Sequence, residues 1–134
     1  MKLRISIAGL IAGLICGLAA LAAESGTELY QKAVTQERNG KLDEAIKLYQ
    51  SVAKEFASDR ALAAKALMAA AHCYELLGKD KQANAVKLYE QVARDFGDQR
   101  QPVEAARAKL ASLRQGERAA EAAPLSAVVG PDAW

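Results

Sequence analysis

The stretch "AIKLYQSVAKEF", Ala45 to Phe56, returns forty residues later as "AVKLYEQVARDF", Ala85 to Phe96. Seven of the twelve positions are identical, and four of the other five are close exchanges: Ile46/Val86, Gln50/Glu90, Lys54/Arg94 and Glu55/Asp95. What is kept is size, polarity and spacing, which points to a repeated structural unit. Ala45, Leu48, Tyr49, Val52, Ala53 and Phe56 recur every three or four residues, the interval that puts side chains on one face of a helix. Ala85, Leu88, Tyr89, Val92, Ala93 and Phe96 repeat that face. Lys47, Gln50 and Lys54 fall on the other side, and Asp43 with Lys47 and Glu90 with Arg94 place an acid four residues ahead of a base. Each copy is an amphipathic helix whose apolar stripe needs partners.

Signals outward from the two copies give more helices and no strand alternation. "SGTE" at Ser25 to Glu28 has the spacing of a capping box and opens a first helix that ends near Asn39-Gly40. The second helix runs from about Leu42 to Ala57. "SDR" at Ser58 to Arg60 caps a third, "ALAAKALMAAAHCYELL", which closes at Gly78. The fourth is expected from Asp80 to Phe96, stopping at Gly97. Pro102 suits the first position of a fifth helix that runs through Leu113 or a little beyond. Short links make consecutive helices antiparallel neighbours. The expected fold is therefore all-α: stacked antiparallel hairpins, about two repeats, closed by a C-terminal capping helix. Val103, Ala106, Leu110 and Leu113 on one face of that last helix, with Arg107, Lys109 and Arg114 elsewhere, fit the capping role.

The ends of the chain read differently. Lys2 and Arg4 precede an apolar, uncharged run from Ile5 to Leu21, and Ala20-Leu21-Ala22 has the small-x-small pattern of an export cleavage site. Residues 1–22 are expected to be a secretory signal peptide cut after Ala22, with an uncleaved membrane anchor as the alternative. Lipid modification at Cys16 is disfavoured by the bulky Ile15 before it. The repeat domain is assigned to residues 23–118. Residues 119–134, Ala-rich with Pro124 and Pro131, are expected to form a flexible tail, and a terminal Trp134 is read either as the mark of a fragment or truncated frame or as an aromatic docking hook.

Charge and composition exclude several functions. The chain carries 18 basic and 16 acidic residues. Removing Lys2 and Arg4 with the leader balances them, so no concentrated positive charge suggests nucleic acid. Cleavage would leave Cys73 as the one cysteine, without an internal disulfide, and it is expected to pack as a small apolar residue. His72, the only histidine, is about 100° around the helix from Cys73, so the two cannot act as base and nucleophile. No glycine-rich phosphate loop and no soft-ligand cluster occurs in the sequence. The expectation is a protein that is not an enzyme and needs no cofactor or metal.

The repeated unit resembles the tetratricopeptide repeat over residues 27 to about 97. Each unit has a small residue in its first helix (Ala33, Ala71), a turn glycine (Gly40, Gly78), an alanine early in its second helix (Ala45, Ala85) and an aromatic four residues on (Tyr49, Tyr89). The usual first-helix tryptophan is replaced by Leu29 and Leu67, and no proline follows the second helix. The longer period and the junction "KEFASDRALAAKAL" look more like bacterial cell-envelope forms of the repeat. The resemblance implies protein–protein binding, with first helices lining a concave groove for a partner's peptide or helix. Carried over from the turn glycines, the groove residues are Thr27, Tyr30, Val34, Glu37 and Arg38 from the first unit, and Lys65, Met68, His72 and Glu75 from the second. The expected function is a periplasmic or secreted adaptor for another envelope protein, without membrane insertion once the leader is cleaved. The alternative is a structural module that self-assembles as a homo-oligomer or begins a longer envelope protein.

Overall fold

A computed structural model describes residues 24–122. The expected signal segment, residues 123–134 and Trp134 lie outside those residues. Five α-helices and no strand are present among them: α1 Gly26–Arg38, α2 Leu42–Glu55, α3 Arg60–Leu77, α4 Gln82–Asp95 and α5 Arg100–Glu121. The fold is all-α.

Local chemistry accounts for four of the ten helix ends. The Ser25 hydroxyl accepts from the Glu28 amide at 3.2 Å while the Glu28 carboxylate accepts from the Ser25 amide at 2.8 Å, completing the expected capping box. At α3 the cap is Asp59, whose carboxylate accepts from the Leu62 amide at 3.0 Å. Gly40 and Gly78 both adopt positive φ, 75° and 120°, where a side chain would be strained, so the two turn glycines have a steric cause. Gly26 is glycine for a different reason: a Cβ there would stand 2.7 Å from Leu62 Cδ2 and 2.8 Å from Phe56 Cγ. The start of α1 thus lies directly on the α2–α3 elbow.

Four sequence expectations shift. The α4 helix begins at Gln82 rather than Asp80, because Lys79–Lys81 form one 3₁₀ turn after Gly78. The α5 helix begins at Arg100, not Pro102, so the proline sits third in the helix, where its missing amide hydrogen has no intrahelical role. That helix also continues past residue 118 to Glu121, through an Ala-, Glu- and Arg-rich segment of good helix formers. Neither suggested acid–base pair forms: Asp43 and Lys47 make no ion pair with any described residue, Glu90 reaches Arg114 on α5 at 3.6 Å, and Arg94 turns to Asp95 at 2.7 Å.

The helices are arranged in two rows. Each packs on its neighbours in sequence, and α1 also meets α3 and α3 meets α5, whereas the backbones of α2 and α4 do not approach within 8 Å. The helix α2 is wedged between α1 and α3, and α4 between α3 and α5. Two apolar clusters fill these wedges. The first joins Ala33 of α1, Ala45, Ile46, Tyr49 and Val52 of α2, and Ala66, Ala70 and Cys73 of α3. The second joins Ala63, Ala64, Leu67 and Ala71 of α3, Ala85, Tyr89, Val92 and Phe96 of α4 or its end, and Val103, Ala106 and Leu110 of α5. The repeated alanines Ala33, Ala45, Ala71 and Ala85 are all fully buried, which lets backbones cross closely. The two repeated tyrosines are the largest fully buried side chains among the described residues.

The forty-residue period extends further than the quoted stretch. Phe56 and Phe96 end their helices with nearly the same backbone, φ/ψ −112°/36° and −115°/39°. Each then accepts a turn hydrogen bond at its carbonyl, from Asp59 at 3.0 Å and from Gln99 at 2.8 Å. Arg60 and Arg100 therefore open equivalent helices, and α5 is the counterpart of α3. Where α3 turns Ala64, Leu67 and Ala71 into the second cluster, α5 has Glu104, Arg107 and Ala111, all exposed. At the opposite end α1 presents Glu28, Gln31, Lys32 and Thr35. Polar residues thus line the outer faces of both end helices of the described stack, as in the capping units of helical arrays. Replacing Glu104→Ala and Arg107→Leu together recreates the α3 surface on α5. Light scattering is expected to show concentration-dependent association of that double variant, with the unaltered chain keeping a constant mass.

Candidate functional site

The nine residues assigned to a groove separate into three groups. Glu37 and Glu75 are half-buried and engaged between helices. The Tyr49 hydroxyl donates to Glu37 Oε2 at 2.6 Å. The Tyr89 hydroxyl donates to Glu75 Oε1, and Lys109 Nζ of α5 donates to Glu75 Oε2 at 3.2 Å. Burial first, and the accepting carboxylate second, push both tyrosine hydroxyls far above the usual phenol range. These glutamates satisfy buried phenols, a packing role that engages one carboxylate oxygen of Glu37 and, with Lys109, both of Glu75.

Thr27, Arg38 and His72 form the second group and are exposed. Thr27 borders the polar outer side of α1 with Glu28, Gln31 and Thr35. The third group is brought together. Tyr30 tilts against Tyr49 with ring centroids 5.2 Å apart, and Lys65 Nζ stands 5.1 Å above the Tyr30 ring. Val34, half-buried, packs on the same cluster as Tyr30. Met68 lies one helical turn beyond Lys65, partly buried against the second cluster.

Lys65 and Met68 face an open cleft of about 680 Å³ between α3 and the start of α5. Ala61, Met68, Pro102 and Ala105 supply its apolar surface, and Asp98, Gln99, Arg100 and Gln101 its polar border. The α5 residues escaped the transfer from turn glycines because that transfer ended with the second unit. The repeat itself held the signal: Ala61 and Lys65, moved forty residues, become Gln101 and Ala105, both of which line the cleft.

The mouth of the cleft is fixed by Arg60. Its Nε donates to both Asp98 carboxylate oxygens at 2.9 Å, its Nη2 donates to the Asp95 carbonyl at 2.7 Å, and its guanidinium lies 5.0 Å from the Phe96 ring centroid. One side chain thus ties the start of α3 to the α4–α5 elbow. Cys73, by contrast, is fully buried in the first cluster, and burial, reinforced by Glu37, pushes its thiol up to about 12. A thiol held protonated in this way is a poor nucleophile. Among the described residues no helix is long and apolar enough to cross a membrane, and no three potential metal-ligating side chains come together.

No protein-family model, curated protein or solved structure matches the chain.

The Arg60 guanidinium, and after it the Gln99 amide, hold the Asp98 carboxyl well below the usual carboxylate range. A carboxylate with a depressed folded-state pKa stabilises the fold above its unfolded value, here 3.8, and loses that contribution as pH falls. In urea titrations across the acid range, Asp98→Asn is therefore expected to be less stable than the parent at neutral pH. Its stability should then decline less steeply below about pH 4.

Proposed function

We propose that the chain is a non-catalytic adaptor of the bacterial cell envelope, exported by its N-terminal segment, that holds a segment of another protein. The observation that carries this reading is the cleft between α3 and α5. It is concave, its floor is apolar, and its polar border is fixed by an ion pair and by the start of a helix, the combination that recognises a protruding side chain of a partner. The resemblance to tetratricopeptide repeats belongs to the same reading. Its support is the row of α1, α3 and α5, the buried small residues at the crossings, the two positive-φ turn glycines and the two buried tyrosines. Such proteins work by presenting a row of first helices to a ligand, and here that row contributes Tyr30, Lys65, Met68 and Ala105.

Self-assembly by end-to-end stacking is the competing reading, and the polar ends weigh against it. Glu104 and Arg107 would have to be desolvated for a further hairpin to stack on α5, which costs free energy that an apolar face would not.

A photoreactive amino acid placed at Ala105, which is exposed and lines the cleft, tests the proposal in the native envelope, with Lys47 on the outer row as control. A discrete crosslinked product from position 105 but not from 47 is the expected result. Equal or absent products at both positions would remove the cleft from the function.

A further inference from the structure

The charges around the cleft are paired off with one exception. Asp98 is held by Arg60 and also accepts from the Gln99 side chain at 2.8 Å. Glu104 is bound by Arg100 at 3.0 Å. Glu75, farther along α3, is met by Lys109 and by the Tyr89 hydroxyl. Each carboxylate near the cleft thus already faces a cation. Lys65 makes no ion pair with any described residue, and its ammonium rests over the Tyr30 ring instead. A ring face attracts an ammonium but accepts none of its hydrogen bonds strongly, so the donors of Lys65 remain available. The residual charge of the cleft lining is therefore positive: Lys65 lines it together with Met68, and its ammonium lies on the α1 side of α3, over Tyr30.

From this we infer that the cleft selects a partner segment that is apolar except for one acidic side chain, which Lys65 receives. The inference rests on the adaptor reading above and adds the partner's chemistry to it. The side chains of Ala61, Met68, Pro102 and Ala105 carry no hydrogen-bonding group, so the part of the partner that rests on them is apolar, with Gln99 and Gln101 left at the border. Met68 is unbranched and polarisable and adapts to side chains of different shape, so specificity falls on the charge rather than on the fit. A basic residue in the same place would meet Lys65 at close range and be rejected.

The test is a selection from a random peptide library displayed without a free carboxyl terminus, on the purified full chain. Survivors are screened against the Ala105→Trp variant, which fills the cleft from an exposed position. Peptides sensitive to Ala105→Trp are expected to be enriched in Asp or Glu flanked by apolar residues. Fluorescence anisotropy should show them binding Lys65→Gln roughly fivefold more weakly, with the difference shrinking as salt is raised. Circular dichroism of both variants should match the parent, since both positions are exposed. Cleft-dependent peptides with no acidic enrichment, or with affinity unchanged by Lys65→Gln, would overturn the charge assignment and leave the adaptor reading standing. If no selected peptide responds to Ala105→Trp, both fall.

Discussion

Two buried tyrosine hydroxyls constrain this fold more than any other feature. A phenol fully enclosed by helices must find a hydrogen-bond partner or forfeit the interaction it had with water. Tyr49 finds Glu37 and Tyr89 finds Glu75, in each case on the helix immediately before its own. The ring fills the wedge between two first-row helices while the hydroxyl fixes how far along the preceding helix it docks. Apolar packing alone tolerates sliding; a hydrogen bond of fixed length does not. No buried side-chain nitrogen or oxygen among the described residues is left without a partner, so the register is specified without an unsatisfied group.

The rest of the architecture follows from that register. With α2 and α4 wedged between first-row helices, the α2–α3 and α4–α5 elbows assume the same conformation, and Arg60 and Arg100 open equivalent helices. Arg60 has a following elbow to grip and makes contact with Asp98, the Asp95 carbonyl and Phe96. Arg100 meets no further elbow among the described residues and pairs there only with Glu104. The same position therefore serves as a clamp inside the array and as surface charge at its end. The cleft arises where the first clamp meets the start of the terminal helix.

Much of this was legible in the sequence, and the rest was hidden for identifiable reasons. The helical period, the capping box and the turn glycines are local signals, each decided within a few residues, and the structure contains them all. Ala45 and Ala85 are also buried as helical spacing suggests, and Ala33 and Ala71 are buried at the positions that the repeat resemblance marks for small residues. The roles of Glu37 and Glu75 were not legible. Their tyrosine partners lie 12 and 14 residues away, and the two unequal intervals reflect turns of different length. The Arg60 clamp spans 38 residues and has no local signature. Pro102 misled because a proline at the third helical position is as harmless as one at the first, so only the repeated elbow tells the two apart. The α5 side of the cleft was recoverable in principle, by carrying the forty-residue period past Phe96.

The central claim is that a tyrosine–carboxylate hydrogen bond sets the register between successive helices. A double-mutant cycle on Tyr49→Phe and Glu37→Ala, measured by urea denaturation, tests it most directly. Each single change strands or deletes one member of a buried pair, so the account predicts that the two costs are far from additive. The expected coupling is about 1.5 kcal/mol, the range for a hydrogen bond to a charged group. Costs that add to within about 0.3 kcal/mol would contradict it, and would mean that ring packing alone holds the helices in place.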